Sequence, residues 1–240
     1  MKTLNNKYCT VPASCSRHIN PLNRIEMVEM GILMPVLVMK FGGTSVATLD
    51  RIARAAKRVG VEVAKGYDVI VIVSAMAGKT NELVGWVNQT SPLFDAREYD
   101  AVVASGETIT AGLMALRLQE MEIPARSWHG WQVPVRTTAN HSAARIEEIA
   151  TENINTKFNE GMRVAVVAGF QGISNEGRIT TLGRGGSDTT AVGFAAAFAA
   201  ERCDIYTDVD GIYTTDPRIS DKARKLEKIA FEEMLELASL

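Results

Sequence analysis

The stretch PVLVMKFGGTSVATLDRIARAAKRVGVEVAKGYDVIVIVSA, residues 35–75, decides the fold. PVLVMKF is an apolar run of strand length. In TLDRIARAAKRVGVEVAKG, Leu49, Ile52, Ala53, Ala56, Val59 and Val63 recur at helical spacing, with Arg51, Arg54, Lys57 and Arg58 largely off that stripe. Those charges read as a solvated face. Gly66 stops the helix, and DVIVIVSA is a second buried strand. Strand, helix, strand, with both strands apolar throughout, is the building unit of a parallel sheet covered by helices.

Further along, the alternation continues. GETITAGLMALRLQEME reads as a helix beginning near Gly106, and IPARSWHGWQVPV is turn-rich with short strands. ARIEEIATENINTKFNEG reads as a helix, MRVAVVAGF as a strand, SDTTAVGFAAAFAAERC as a helix and CDIYTDV as a strand. DGIYTTDPR is a loop, and KIAFEEMLELASL opens a last helix. The pattern predicts an α/β domain with a largely parallel sheet covered on both faces, spanning residues 34–240 without repeats or a flexible linker. Residues 1–33 are polar, lack sustained periodicity and carry no secretory signal pattern, so they are expected to form a loosely held, disordered extension. Cys9, Cys15 and His18 there have the spacing C-x5-C-x2-H with no fourth ligand nearby, which favours the extension over a zinc site.

Composition excludes several classes of function. The chain has 240 residues, 46% of them hydrophobic, enough for a sizeable core. A net charge of −2 gives no support for nucleic-acid binding. No uninterrupted apolar run approaches a membrane span. Three cysteines, an odd number, fit a reducing compartment, and a cytoplasmic location is expected.

In this architecture ligands bind beyond the carboxyl ends of the strands. Polar, glycine-rich stretches fall there: KFGGTS, SAMAGKTN, AGFQG and TDVDG, with GRGGSDTT directly before a helix. AGKT, residues 77–80, lacks the glycine that a P-loop requires at position 73, which is Val73. In KFGGTS, Gly42 and Gly43 would let phosphate oxygens approach backbone N–H groups, with Lys40 as a compact positive charge. A plain glycine turn with a surface lysine is the competing reading. In GRGGSDTT, Ser187 opens a helix whose free N–H groups favour an anion, and Arg184 could clamp a carboxylate or phosphate. Asp188 reads either as a helix-end charge or as a group orienting Lys40 or a metal-bound phosphate. Glu107, in SGE, is either a helix-end charge or the receiver of a substrate ammonium. Asp208, Asp210 and Asp216 lie in a turn-rich loop whose DxD spacing is weak evidence for magnesium, and Tyr213 and Arg218 could contact a nucleotide. His129 and His141 read as structural, Trp128 and Trp131 as packing residues, and Thr189 and Thr190 as local helix residues.

Together MKFGGTSVA, VSAMAGKTN, SGE, AGFQG, GRGGSDTTA, YTDVDGIYTTDPR and KIAFEEMLELA closely resemble the catalytic domain of the aspartate kinases, in family order across residues 36–240. That resemblance implies the amino-acid kinase fold, a three-layer α/β/α sandwich with a mostly parallel central sheet. It implies transfer of the ATP γ-phosphoryl group, with Mg²⁺, to the β-carboxylate of L-aspartate, the step opening lysine, threonine and methionine biosynthesis. By resemblance, Lys40, Gly42 and Gly43 form the phosphate corner and Ser45 lies beside the aspartate site. Thr80, Glu107, Phe170, Arg184 and Ser187 contact aspartate, with Glu107 near the ammonium and Arg184 on a carboxylate. Asp188 organises the transfer centre, and Thr207, Asp208, Tyr213 and Arg218 bind nucleotide. The resemblance also implies a homodimer involving the kinase domain. The chain stops at ELASL, before the family's G-A-K-V segment and its paired ACT domains, so a C-terminally truncated catalytic domain is expected. Other readings are a ligand-binding fragment with impaired turnover, or another amino-acid kinase.

Overall fold

The computed structural model describes residues 34–183, 185–207 and 223–224. The extension at 1–33, Arg184, Asp208, Asp210, Tyr213, Asp216, Arg218 and the last helix lie outside the described residues. Strand β1 (Val36–Phe41) is followed by a short 3-10 turn at Gly43–Val46, helix α1 (Leu49–Ala64) and β2 (Asp68–Val73). Helices α2 (Lys79–Thr90), α3 (Ala96–Val103) and α4 (Ser105–Glu120) lead to β3 (Ala125–Trp128), β4 (Val135–Thr137) and β5 (Ile146–Ile149). Then come α5 (Glu152–Asn159), β6 (Val164–Ala168), β7 (Gln171–Ile173), β8 (Ile179–Thr181), α6 (Gly186–Ala197) and β9 (Arg202–Tyr206).

The opening unit folds as its sequence reads. Thr48 caps α1, its hydroxyl accepting the Arg51 N–H at 3.3 Å. Gly66, at φ +105, leads the chain out of it. Ile52, Ala55, Ala56 and Val59 are buried, whereas Leu49 in the first turn is 65% exposed and stands off the inward stripe. β1 and β2 then pair in parallel from Val36 opposite Asp68 to Phe41 opposite Val73.

Five strands form the central sheet in the order β3-β6-β2-β1-β9, all pairs parallel. Side-chain parity sorts the core into two layers. Leu37, Met39 and Phe41 of β1 face α1 and α4, packing with Ile52, Val59, Met114 and Leu118. Val38 points the other way, with Ile70 and Ile72, against Phe158 of α5 and Phe194 of α6. The expected three-layer α/β/α sandwich is therefore present. Lys40 shares the parity of Val38, which aims it at the α6 face near the top of the strand.

The ARIEEIATENINTKFNEG segment divides, contrary to the single helix read from its spacing. Ile146–Ile149 is a strand, and only Glu152–Asn159 is helical. This strand belongs to a second sheet, β5-β4-β7-β8, of mixed direction, which the sequence did not announce. A buried carboxylate fastens it to α3. Asp100 is fully buried and accepts from Thr181 Oγ1 at 2.5 Å and Ser142 N at 3.1 Å, with His141 Nδ1 at 2.6 Å. Asp100→Ala is expected to destabilise the fold by about 3 kcal/mol, because the buried Thr181 hydroxyl and the part-buried His141 and Ser142 groups lose their acceptor together. Urea unfolding would measure it.

Residues 96–120 are apolar and long enough, by length and composition, to cross a membrane. They are core helices here: α3 holds buried Asp100, and α4 buries Glu107, Ala111, Met114 and Leu118.

Candidate active site

The carboxyl ends of β1, β2, β6 and β9 lie level, since Phe41 is in register with Val73 and Tyr206, and Val73 with Ala168. The next residue after each of three strands extends the ladder. Gly42 N–H donates to Tyr206 O at 3.0 Å, Ser74 N–H to Phe41 O at 3.1 Å and Gly169 N–H to Val73 O at 3.0 Å. A rigid floor results, and a cleft of about 290 Å³ opens above it.

Lys40, Gly43, Thr80, Glu107, Phe170, Ser187 and Asp188 all line this cleft. Seven residues picked from five separate stretches of sequence thus share one cavity. Lys40 is 6% exposed, and its Nζ lies 2.7 Å from Asp188 Oδ1 in the first turn of α6. The pair joins the end of β1 to the start of α6 and sets a positive charge beside a helix N-terminus. Ser187 N–H, unlike those of Gly186 and Asp188, has no backbone acceptor among the described residues and remains available to an anion.

Of the two glycines of KFGGTS, neither left-handed, Gly43 serves a close approach and Gly42 does not. A Cβ on Gly43 would come within 2.9 Å of Ala75 O, and one on Gly42 within 3.5 Å of Lys40 Nζ. The Gly43 and Thr44 N–H groups have no backbone acceptor among the described residues, whereas that of Gly42 is taken by Tyr206 O. Gly42 and Ser45 are not among the cleft-lining residues, and Ser45 Oγ lies 3.5 Å from Tyr206 O. Thr207 is exposed just past β9.

Across the cleft, Glu107 is 3% exposed in the first turn of α4. Its Oε1 accepts the Ala75 N–H at 2.9 Å, while its buried Oε2 has no hydrogen-bond partner among the described residues. Burial pushes the Glu107 carboxyl up to about 7, against the opposing pull of the Ala75 and Glu107 backbone N–H groups. A buried carboxylate with one oxygen unsatisfied is poised to receive a cationic donor from a ligand.

The loop Ser74–Gly78, part of the SAMAGKTN stretch expected at a strand end, also lines the cleft. Val73 is buried as the last residue of β2, so no P-loop turn forms there. Gly78, left-handed at φ +83, caps α2 there.

At the α6 end, Gly186 has no room for a side chain: a Cβ would lie 2.7 Å from Leu182 Cβ and 2.8 Å from Phe170 Cδ2. Gly186→Ala is expected to cost about 1–3 kcal/mol by overpacking. Thermal unfolding would register the loss.

A buried lysine paired with a part-exposed aspartate at a helix start, and an unsatisfied glutamate opposite, thus meet in one cleft above a parallel sheet. The amino acid kinase family profile matches residues 35–240, and the chain belongs to that family. It is 53% identical over 209 residues to an aspartokinase of Rickettsia conorii, covering 86% of this chain and 52% of that protein. It is similar in structure to aspartate kinase from Synechocystis (TM-score 0.68, 46% identity, 85% of this chain and 33% of that one). Escherichia coli aspartokinase III, solved in complex with aspartate and ADP, superposes with TM-score 0.68 at 30% identity, over 80% of this chain and 53% of that one. The chain spans about half the length of the curated relatives it matches.

Proposed function

We infer that this chain is the catalytic domain of an aspartate kinase, transferring the ATP γ-phosphoryl group to the β-carboxylate of L-aspartate to give 4-phospho-L-aspartate. One observation carries the reading: the Lys40–Asp188 pair and the unsatisfied Glu107 carboxylate line the same cleft beyond the strand ends. The first suits a polyphosphate. The second suits an ammonium.

A carboxylate acceptor, with an ordinary pKa of about 4, is ionised at neutral pH, so the reaction needs no general base. It needs alignment and neutralisation of charge at the transferring group. Lys40 supplies a fixed positive charge there, held in place by Asp188. Ser187 N–H and the Gly43–Thr44 N–H groups add donors. Glu107 receives the aspartate ammonium, and Thr80, Phe170 and Ser187 shape the acceptor side, with Ser45 close by. Arg184 on a substrate carboxylate, and Thr207, Asp208, Tyr213 and Arg218 around the nucleotide, complete the proposal.

The donor set fits Mg²⁺ delivered on ATP, which typically keeps waters and substrate phosphates as ligands with only one or two carboxylates. Asp188 is the carboxylate beside the phosphate corner, and no group of three His, Cys, Asp or Glu at metal-binding distance occurs among the described residues. Bound with ATP, the ion would offset phosphate charge. A cytoplasmic enzyme of amino-acid biosynthesis, working as a homodimer, is the corresponding biological reading.

The test is ADP formation from Mg-ATP with a panel of acceptors. Aspartate should support turnover, and glutamate, N-acetylglutamate and UMP should not. Turnover with UMP alone would overturn the assignment.

A further inference from the structure

Phe170 is strained. It has φ +66, a conformation that a bulky residue with a Cβ rarely adopts, and it sits at the turn between β6 and β7 while lining the cleft. Two buried polar side chains flank it, and the proposed mechanism uses neither.

Thr190, on α6, is fully buried. Its hydroxyl accepts the Phe170 N–H at 3.1 Å and lies 2.7 Å from Gly186 O, to which it donates. One oxygen therefore ties the strained residue to the first turn of α6, the turn that carries Ser187 and Asp188. On the other side, Gln171 is 2% exposed. Its amide N–H donates to Ala104 O at 2.9 Å, at the start of α4, three residues before Glu107. Its amide oxygen accepts the Gly130 N–H at 3.4 Å. The Phe170 carbonyl is also occupied, accepting from Leu182 N–H at 2.9 Å.

The geometry points to Thr190 and Gln171 as positioning residues for the acceptor pocket. They hold Phe170 in its left-handed conformation and so keep its ring on the acceptor side of the cleft. Neither side chain lines the cleft; both act through Phe170. Without the Thr190 hydroxyl, the part-buried Phe170 N–H loses its acceptor, and the left-handed conformation loses a bond that offsets its strain. The ring then leaves the acceptor side. The phosphate corner, built from β1 and the 3-10 turn after it, is untouched.

This inference rests on the proposed aspartate kinase reading, and the test separates the two. Thr190→Val removes the hydroxyl at constant shape. The aspartate KM should rise about tenfold or more, with the ATP KM within twofold and kcat within threefold of the parent. Thr190→Ser, which restores the oxygen, should return the aspartate KM to within threefold. Gln171→Met should give the same aspartate-selective rise without altering α6, and it serves if Thr190→Val does not fold. Amide hydrogen exchange at Phe170 supplies a readout independent of turnover: it should accelerate at least tenfold in Thr190→Val and not in Thr190→Ser. Unchanged Phe170 exchange, equal rises in both KM values, or a serine variant as impaired as the valine would overturn the inference. If the parent shows no aspartate-dependent turnover, the functional reading fails and the exchange measurement alone decides the role of Thr190.

Discussion

Lys40→Ala is expected to leave a folded protein whose kcat is lower by about a thousandfold or more. Phosphoryl transfer offers little covalent chemistry for side chains to perform, so catalysis rests on placing charge where it develops. Lys40 is the cation on the cleft lining among the described residues. Its burial at 6% exposure makes that charge count for more than it would in water. The fold should survive, because the partner carboxylate of Asp188 keeps 31% side-chain exposure and water can replace part of the lost ion pair. Lys40→Arg should rescue poorly, since a planar, delocalised guanidinium does not place its charge as a compact ammonium does. Steady-state kinetics with circular dichroism would check both parts. Near-normal turnover in Lys40→Ala would remove Lys40 from the transfer step.

The second large effect belongs to Glu107, where function and stability should move in opposite directions. Its carboxyl is raised to about 7 in the folded protein, from an ordinary value of 4.5. Between those values the folded state holds a proton that the unfolded state has released, so stability falls as pH rises through this window. Above about pH 7 the ionised group is a standing cost of a few kcal/mol at most. Glu107→Gln keeps an oxygen for the Ala75 N–H and removes that cost, so it should unfold at a higher temperature than the parent at pH 8 and at a similar one near pH 4. The same variant should bind aspartate far more weakly, with KM higher by about a hundredfold, because a neutral amide replaces the ammonium's counter-charge. In the parent, aspartate affinity should fall as pH drops below 7 and Glu107 gains its proton. A Glu107→Gln variant with unchanged aspartate KM would place the ammonium elsewhere.

How far the sequence revealed this site depends on the kind of feature. The unit from Val36 to Val73 was legible because its two strands are apolar on both faces and its helix carries a clear stripe. Strand parity also implied that Lys40 and Val38 share a face, which is why Lys40 meets α6. The second sheet was hidden, since its strands have only three or four residues and β5 is half exposed. Ile146 and Ile149 imitate helical spacing, yet the chain is extended there and turns helical only after Thr151. The strain at Phe170 was invisible, because no glycine or asparagine marks its positive φ. The second role of Glu107 was equally hidden: its bond to Ala75 N–H spans 32 residues and needs the packed α4 start to exist.

The proposed acceptor in this cleft is the β-carboxylate of aspartate. An acyl phosphate reacts with hydroxylamine, whereas a phosphate ester does not. Incubation with Mg-ATP, L-aspartate and hydroxylamine should therefore yield aspartyl β-hydroxamate in step with ADP, and none should form when either substrate is withheld. ADP release without any hydroxamate, or hydroxamate formed only from a different carboxylic acid, would contradict it.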